Sequence, residues 1–177
     1  MDESWNLVSF TLFSFDIYTP PADGDVLSAI SPRDPKMAGF LDPAGDPGTL
    51  TLYMGPYAGL RQDISLYSLG GDPGRTDERF AIASEGPTDP DRPELGETIA
   101  VTYQNTFTQT FENVHRIEGW GGSDDDSVYV DSGVAAGVEL HGGAGDDRLT
   151  VRGSGVAMLY GDAGDDALRG GLGNDRL

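Results

Sequence analysis

Four aspartates recur in one setting near the end of this 177-residue chain: Asp126, Asp147, Asp166 and Asp175. Each closes a short glycine-rich run, and each is followed two residues later by an aliphatic side chain, Val128, Leu149, Leu168 or Leu177. The runs are Gly-Gly-Ser-Asp-Asp-Asp-Ser-Val-Tyr at 121–129, Gly-Gly-Ala-Gly-Asp-Asp-Arg-Leu-Thr at 142–150, Gly-Asp-Ala-Gly-Asp-Asp-Ala-Leu-Arg at 161–169 and Gly-Gly-Leu-Gly-Asn-Asp-Arg-Leu at 170–177. Glycines at the first, second and fourth places permit a tight turn with positive φ and bring carbonyl oxygens close together. Carboxylates beside carbonyls form a hard, all-oxygen ligand set, which suits Ca²⁺ rather than zinc or copper.

These units align on the pattern G-G-x-G-x-D-x-U-x, with U aliphatic. The last third of the chain therefore resembles an RTX (hemolysin-type) calcium-binding repeat array. The resemblance implies a parallel β-roll in an exported bacterial protein, with Ca²⁺ held between stacked turns. Two intervening stretches, 133–141 and 152–160, keep the core residue (Leu140, Leu159) and lack the aspartate. In a β-roll alternate nonapeptides stack, so the turns starting at 121, 142 and 161 should share one side. Those starting at 133, 152 and 170 should share the other. About two sites are expected, with Asp126–Asp147 and Asp147–Asp166 as carboxylate pairs. By the resemblance, the carbonyls of Gly122, Asp124, Gly143, Gly145, Asp162 and Gly164 complete the shells. Asp124 and Asp162 stand where the pattern has glycine, at some cost in positive-φ strain. Asp175 has no ligand turn before it on its side, so its partner is expected beyond Leu177 and the chain is read as a fragment of a large exoprotein.

The spacing also argues physically for a cation. Neighbouring coils of a solenoid lie about 4.8 Å apart, and two carboxylates at that distance repel by roughly 1 kcal/mol even in water-like surroundings. A row of them is unfavourable unless something positive sits between. A disordered acidic tail, the bland alternative for such a composition, has no reason to keep aliphatic residues in phase.

Composition narrows the partners. Thirty acidic against eleven basic residues give a net charge of −19, which disfavours nucleic acid and anionic membrane surfaces. Cysteine is absent, which excludes disulfides and thiolate metal sites. No apolar run reaches the roughly 18 residues of a membrane-spanning helix. The first residues, Met-Asp-Glu-Ser-Trp, lack the basic start of a secretory signal peptide. The resemblance implies secretion to the extracellular space by a type I exporter that reads a C-terminal signal absent from this chain.

The elements that must position the turns are expected to be strands throughout, an all-β chain. A β-rich N-terminal domain with long Pro/Gly loops is assigned to residues 1–113, and the β-roll to 114–177. Strands are read over 5–19, over 49–54 (Leu50, Leu52, Met54), around Phe80 and Ile82, and as a hairpin over 98–103 and 106–111. A further strand over 114–118 feeds the first turn, and a short helix is possible near 26–30. Trp120 is expected to plug the core at the junction, and the N-terminal part to cap the first coil and template it.

No catalytic constellation emerges. The two histidines, His115 and His141, cannot make a His-Glu-x-x-His zinc helix, and no Gly-x-Ser-x-Gly elbow is present. No catalytic residue is assigned, and an isolated chain is expected to be monomeric. Two other readings stay open. One is an adhesin or surface-layer segment whose N-terminal part binds a glycan or protein; the other is an accessory domain of a secreted hydrolase.

Overall fold

A computed structural model describes residues 38–39, 48–60 and 77–177, all within one compact unit, Arg33–Leu177. The readings of strands over 5–19 and a helix near 26–30 fall outside the described residues. The rest is all-β. Eleven strands are β1 (Ala38–Gly39), β2 (Thr49–Leu52), β3 (Arg79–Pro87), β4 (Glu97–Tyr103), β5 (Phe107–Val114), β6 (Arg116–Ser123), β7 (Ser127–Val130), β8 (Gly137–Ala144), β9 (Arg148–Val151), β10 (Ala157–Ala163) and β11 (Ala167–Arg169). They form two sheets, ordered β1-β2-β6-β8-β10 and β11-β9-β7-β3-β4-β5.

Three parallel coils follow from the repeats: β6–β7, β8–β9 and β10–β11. Their registers pair Ile117 with Val138, Val128 with Leu149, Leu159 with Leu140 and Leu168 with Leu149. Side chains alternate across a strand, so every second residue enters the lumen. Ile117, Val128, Val130, Val138, Leu140, Leu149, Val151, Ala157 and Leu159 are buried there in one continuous core. Burying a side chain such as Leu140 contributes about 1.5–3 kcal/mol, and each thin coil must borrow its neighbour's surface to obtain it.

A fourth, leading coil precedes these and carries no nonapeptide. β2 pairs in parallel with β6 (Leu50↔Ile117), and β3 pairs in parallel with β7 (Phe80↔Val128, Ile82↔Val130). The sheets therefore run without a break across the boundary drawn at residue 113, because Leu50, Leu52, Phe80 and Ile82 extend the same core. Beyond this coil the pairing turns antiparallel. β1 joins β2, and the β4–β5 hairpin joins β3, with Ile99 and Val101 closing the lumen's end. The hairpin turn puts Gln104 and Asn105 at positive φ (49° and 56°), and the Thr106 N–H bonds the Tyr103 carbonyl at 3.0 Å. Two consecutive positive-φ residues define a type I′ turn, whose twist matches the strands.

Trp120 corrects one expectation. It is half-buried on the outer face of β6, not in the core, because the inward parity set by Ile117 falls on Gly119 and Gly121 to either side of it. Its ring lies 5.6 Å from Tyr57 and 5.9 Å from His141, which stacks on Tyr160 at 4.4 Å. The register that stacks the coils thus also stacks a ladder of rings outside them.

Candidate metal centre

The turns starting at 121, 142 and 161 lie directly above one another, since Gly122 pairs with Gly143 and Gly143 with Asp162. On the opposite side the 170 turn lies under the 152 turn: the Leu172 N–H bonds the Gly153 carbonyl at 2.8 Å. The second and fourth residues of the three ligand-side turns all have positive φ: Gly122 (99°), Asp124 (73°), Gly143 (111°), Gly145 (134°), Asp162 (69°) and Gly164 (147°). Asp124 and Asp162 adopt the conformation of the glycines they replace, at the energetic cost a Cβ brings there.

Of the sixth-position aspartates, Asp126 and Asp147 are buried in the lumen, and Asp166 and Asp175 are half-buried. Asp126 and Asp147 are 2 % and 1 % exposed. The Asp126 N–H donates to Asp147 Oδ1 at 2.8 Å, and the Asp147 N–H donates to Asp166 Oδ1 at 2.9 Å. The fifth-position row is laced in the opposite direction on the outside. There the Asp146 N–H donates to Asp125 Oδ1 at 2.7 Å, and the Asp165 N–H donates to Asp146 Oδ1 at 2.9 Å. Each inner carboxylate thus has one oxygen held by the backbone of the coil above. The other oxygen, Oδ2 of Asp126 and of Asp147, is buried without a hydrogen-bond partner.

Those orphaned oxygens lie beside backbone carbonyls. A Cβ on Gly121 would collide with both Asp126 Oδ2 and the Gly142 carbonyl oxygen; one on Gly142 would collide with Asp147 Oδ2 and the Gly161 carbonyl oxygen. The first glycine of each turn is therefore fixed by the cradle of oxygens at its Cα. Among the described residues no three His, Cys, Asp or Glu side chains converge. The available donors are paired carboxylates of adjacent turns with main-chain carbonyls, an arrangement hard cations accept. An anionic oxygen buried among acceptors demands a proton or a cation.

Charge is frustrated here as well. Burial pushes the Asp126 carboxyl up from 3.8 to about 7; the hydrogen bond from the Glu78 N–H opposes the rise, and the charges of Glu78, Asp147 and Asp77 add to it. Asp147 is also raised, first by burial, with the Asp126 N–H opposing and Asp166, Asp125 and Asp146 adding to it. Asp166 closes the row in the third coil. Asp175 is on the other side, where its Oδ1 accepts the Ala157 N–H at 2.8 Å, and the structure does not bring it to the other three.

Residues 139–156 and 157–177 match the family model of the RTX calcium-binding nonapeptide repeat (4 copies). This segment is similar to RTX calcium-binding repeats and is wound here as a parallel β-roll; the 121–129 turn, outside the match, repeats its geometry in register. No curated protein and no solved structure matches the chain.

One participant escaped sequence reasoning. Glu78 is buried and occupies, in the leading coil, the place that Asp126 holds in the next, since Arg79 pairs with Ser127. A signal was present: Glu78-x-Phe80-x-Ile82 has the form of Asp126-x-Val128-x-Val130 and Asp147-x-Leu149-x-Val151. Without a Gly-Gly-x-Gly run before it, nothing marked it as a coil.

Proposed function

We propose that this chain is a calcium-gated folding module of a secreted protein, with ions in two gaps: between the 121 and 142 turns, and between the 142 and 161 turns. The observation that carries the reading is the pair of buried, unpartnered oxygens, Asp126 Oδ2 and Asp147 Oδ2, each beside the first carbonyl of the next turn. Calcium, when bound, supplies the positive charge that joins stacked turns. Asp126, Asp147 and Asp166 supply the carboxylates, and the carbonyls of the glycine turns supply neutral oxygens. By their position in the stacked turns, Gly122, Asp124, Gly143, Gly145, Asp162 and Gly164 remain the candidates for those carbonyls.

Where free calcium is sub-micromolar, the aspartate rows repel and the second and third coils stay loose, a state suited to threading through an exporter. At extracellular millimolar calcium, sites with dissociation constants on the order of 10⁻⁴ to 10⁻³ M fill, and binding energy becomes folding energy. The leading coil and the β4–β5 hairpin act as the template on which the first coil forms. The reading assigns these residues no catalysis; His141, stacked between Trp120 and Tyr160, serves the outer ladder.

Far-UV circular dichroism during calcium titration, with magnesium as control, tests the proposal. A rise in β signal with calcium alone, saturating near millimolar, is expected. An unchanged spectrum with no ion bound contradicts it.

A further inference from the structure

The row of inner carboxylates runs one coil further upstream than the repeats, and it ends differently there. The Glu78 N–H donates to Asp126 Oδ1 at 2.7 Å, as the Asp126 and Asp147 N–H groups do to the next aspartates down. The Glu78 carboxylate, however, does not carry a buried orphan oxygen like those of Asp126 and Asp147. Its Oε2 accepts the N–H of Gly55 at 2.6 Å. Gly55, at φ +48°, stands over Gly122, and a Cβ on it would collide with the carbonyls of Trp120 and Gly121. The extra methylene of glutamate lets the carboxylate reach back to its own coil's turn. The Gly55 N–H thus stands, in this gap, against a carboxylate oxygen of the kind left unmet in the two gaps below.

We propose that Glu78 is a positioning residue for the first calcium site: its carboxylate, anchored on the Gly55 N–H, seals the upstream end of the ion row and holds in place the Glu78 N–H that fixes Asp126 Oδ1, so that only Oδ2 faces the gap to the 142 turn. The inference rests on the calcium reading above and deepens it. Asp126 then serves one ion, the gap above it holds none, and the leading coil keeps its geometry without metal. Groups that orient a ligand from behind commonly change metal affinity by about 10–100-fold when removed. The same magnitude is expected for Glu78, confined to the first site. Glu97 provides the internal control. It comes from the neighbouring strand β4 and accepts the N–H groups of Ala135 (2.9 and 3.2 Å) and Ala136 (3.4 Å) on the side without ligands.

The test uses the full chain, with each site isolated in turn. Asp166→Ala leaves the upper site and Asp126→Ala leaves the lower one. Calcium calorimetry on Glu78→Ala in the Asp166→Ala background is expected to show at least a tenfold weaker affinity, and in the Asp126→Ala background no change. Glu78→Gln, which keeps an acceptor for the Gly55 N–H, should restore the upper site to within about threefold. Glu97→Ala should leave both affinities unaltered. In metal-free buffer, exchange of the Gly55 and Glu78 amides should be slow in the parent chain and fast in Glu78→Ala. That readout stands even if no calcium binds, which would refute the functional reading and not this contact. Three ions in the parent chain falling to two in Glu78→Ala would make Glu78 a ligand and overturn the proposal. Equal weakening of both isolated sites, or of neither, would overturn it too.

Discussion

Replacing Asp126 by asparagine separates the charge of the row from its shape. In Asp126→Asn one side-chain oxygen can still accept the Glu78 N–H, and the new amide nitrogen stands where Oδ2 lies beside the Gly142 carbonyl. A repelled, unpartnered acceptor becomes a donor next to an acceptor. The Asp126 carboxyl is held at about 7 in the fold against 3.8 as its ordinary value. Its folded-state value is raised, so its contribution to stability is complete below pH 3.8 and disappears as pH rises through 7. A carboxyl moved that far disfavours the ionised fold by at most about 4 kcal/mol above pH 7. Coupling to Asp147 spreads this over a wider range. In chelator, urea unfolding from pH 4 to 8 should show the parent chain losing stability toward pH 8, with Asp126→Asn losing about 2–4 kcal/mol less. With calcium in excess the order should reverse, because the variant has lost one site. Parallel pH profiles in chelator for the two proteins would refute the account of a frustrated buried carboxylate.

Other outcomes follow from the same geometry. Apparent calcium affinity should drop about tenfold between pH 8 and pH 6 as protons compete for Asp126, with proton release on binding measurable by calorimetry in buffers of different ionisation enthalpy. Gly145→Ala should abolish the cooperative calcium response, since its Cβ meets the Asp124 carbonyl at φ +134°; a normal titration would show that the turn relaxes. Trp120→Ala should cost about 1–2 kcal/mol in unfolding experiments through two lost ring contacts, without altering the number of ions bound. Leu140→Ala, in the middle of the lumen and fully buried, should cost about 2–5 kcal/mol and raise the calcium concentration needed to fold.

Much of the roll was legible because the repeat couples two independent periodicities. The aspartates Asp126, Asp147 and Asp166 and the aliphatics Val128, Leu149 and Leu168 stay in phase through stretches of unequal length, and only stacking of alternate turns satisfies both. That logic placed the 121, 142 and 161 turns over one another and left Asp175 on the opposite side. The leading coil was not legible. Leu50 and Leu52 read as a half-buried strand, and Phe80 and Ile82 as another, but their partners lie far along the chain in β6 and β7. Alternation reveals that a face is buried, never what buries it. Trp120 was misplaced for a related reason: an aromatic at a junction suggests core, while the parity set by Ile117 turns it outward. The laced hydrogen bonds of Asp125, Asp146 and Asp165 were hidden because, in sequence, an outer aspartate looks like any solvated charge.

Ion counting by calorimetry across four proteins addresses the central claim most directly. The account predicts two calcium ions for the parent chain, one for Asp126→Ala, one for Asp166→Ala and none for Asp147→Ala, whose carboxylate borders both gaps. Asp175→Ala should keep two. An ion retained by Asp147→Ala, or lost from Asp175→Ala, would contradict the stacking of carboxylates on which the account depends.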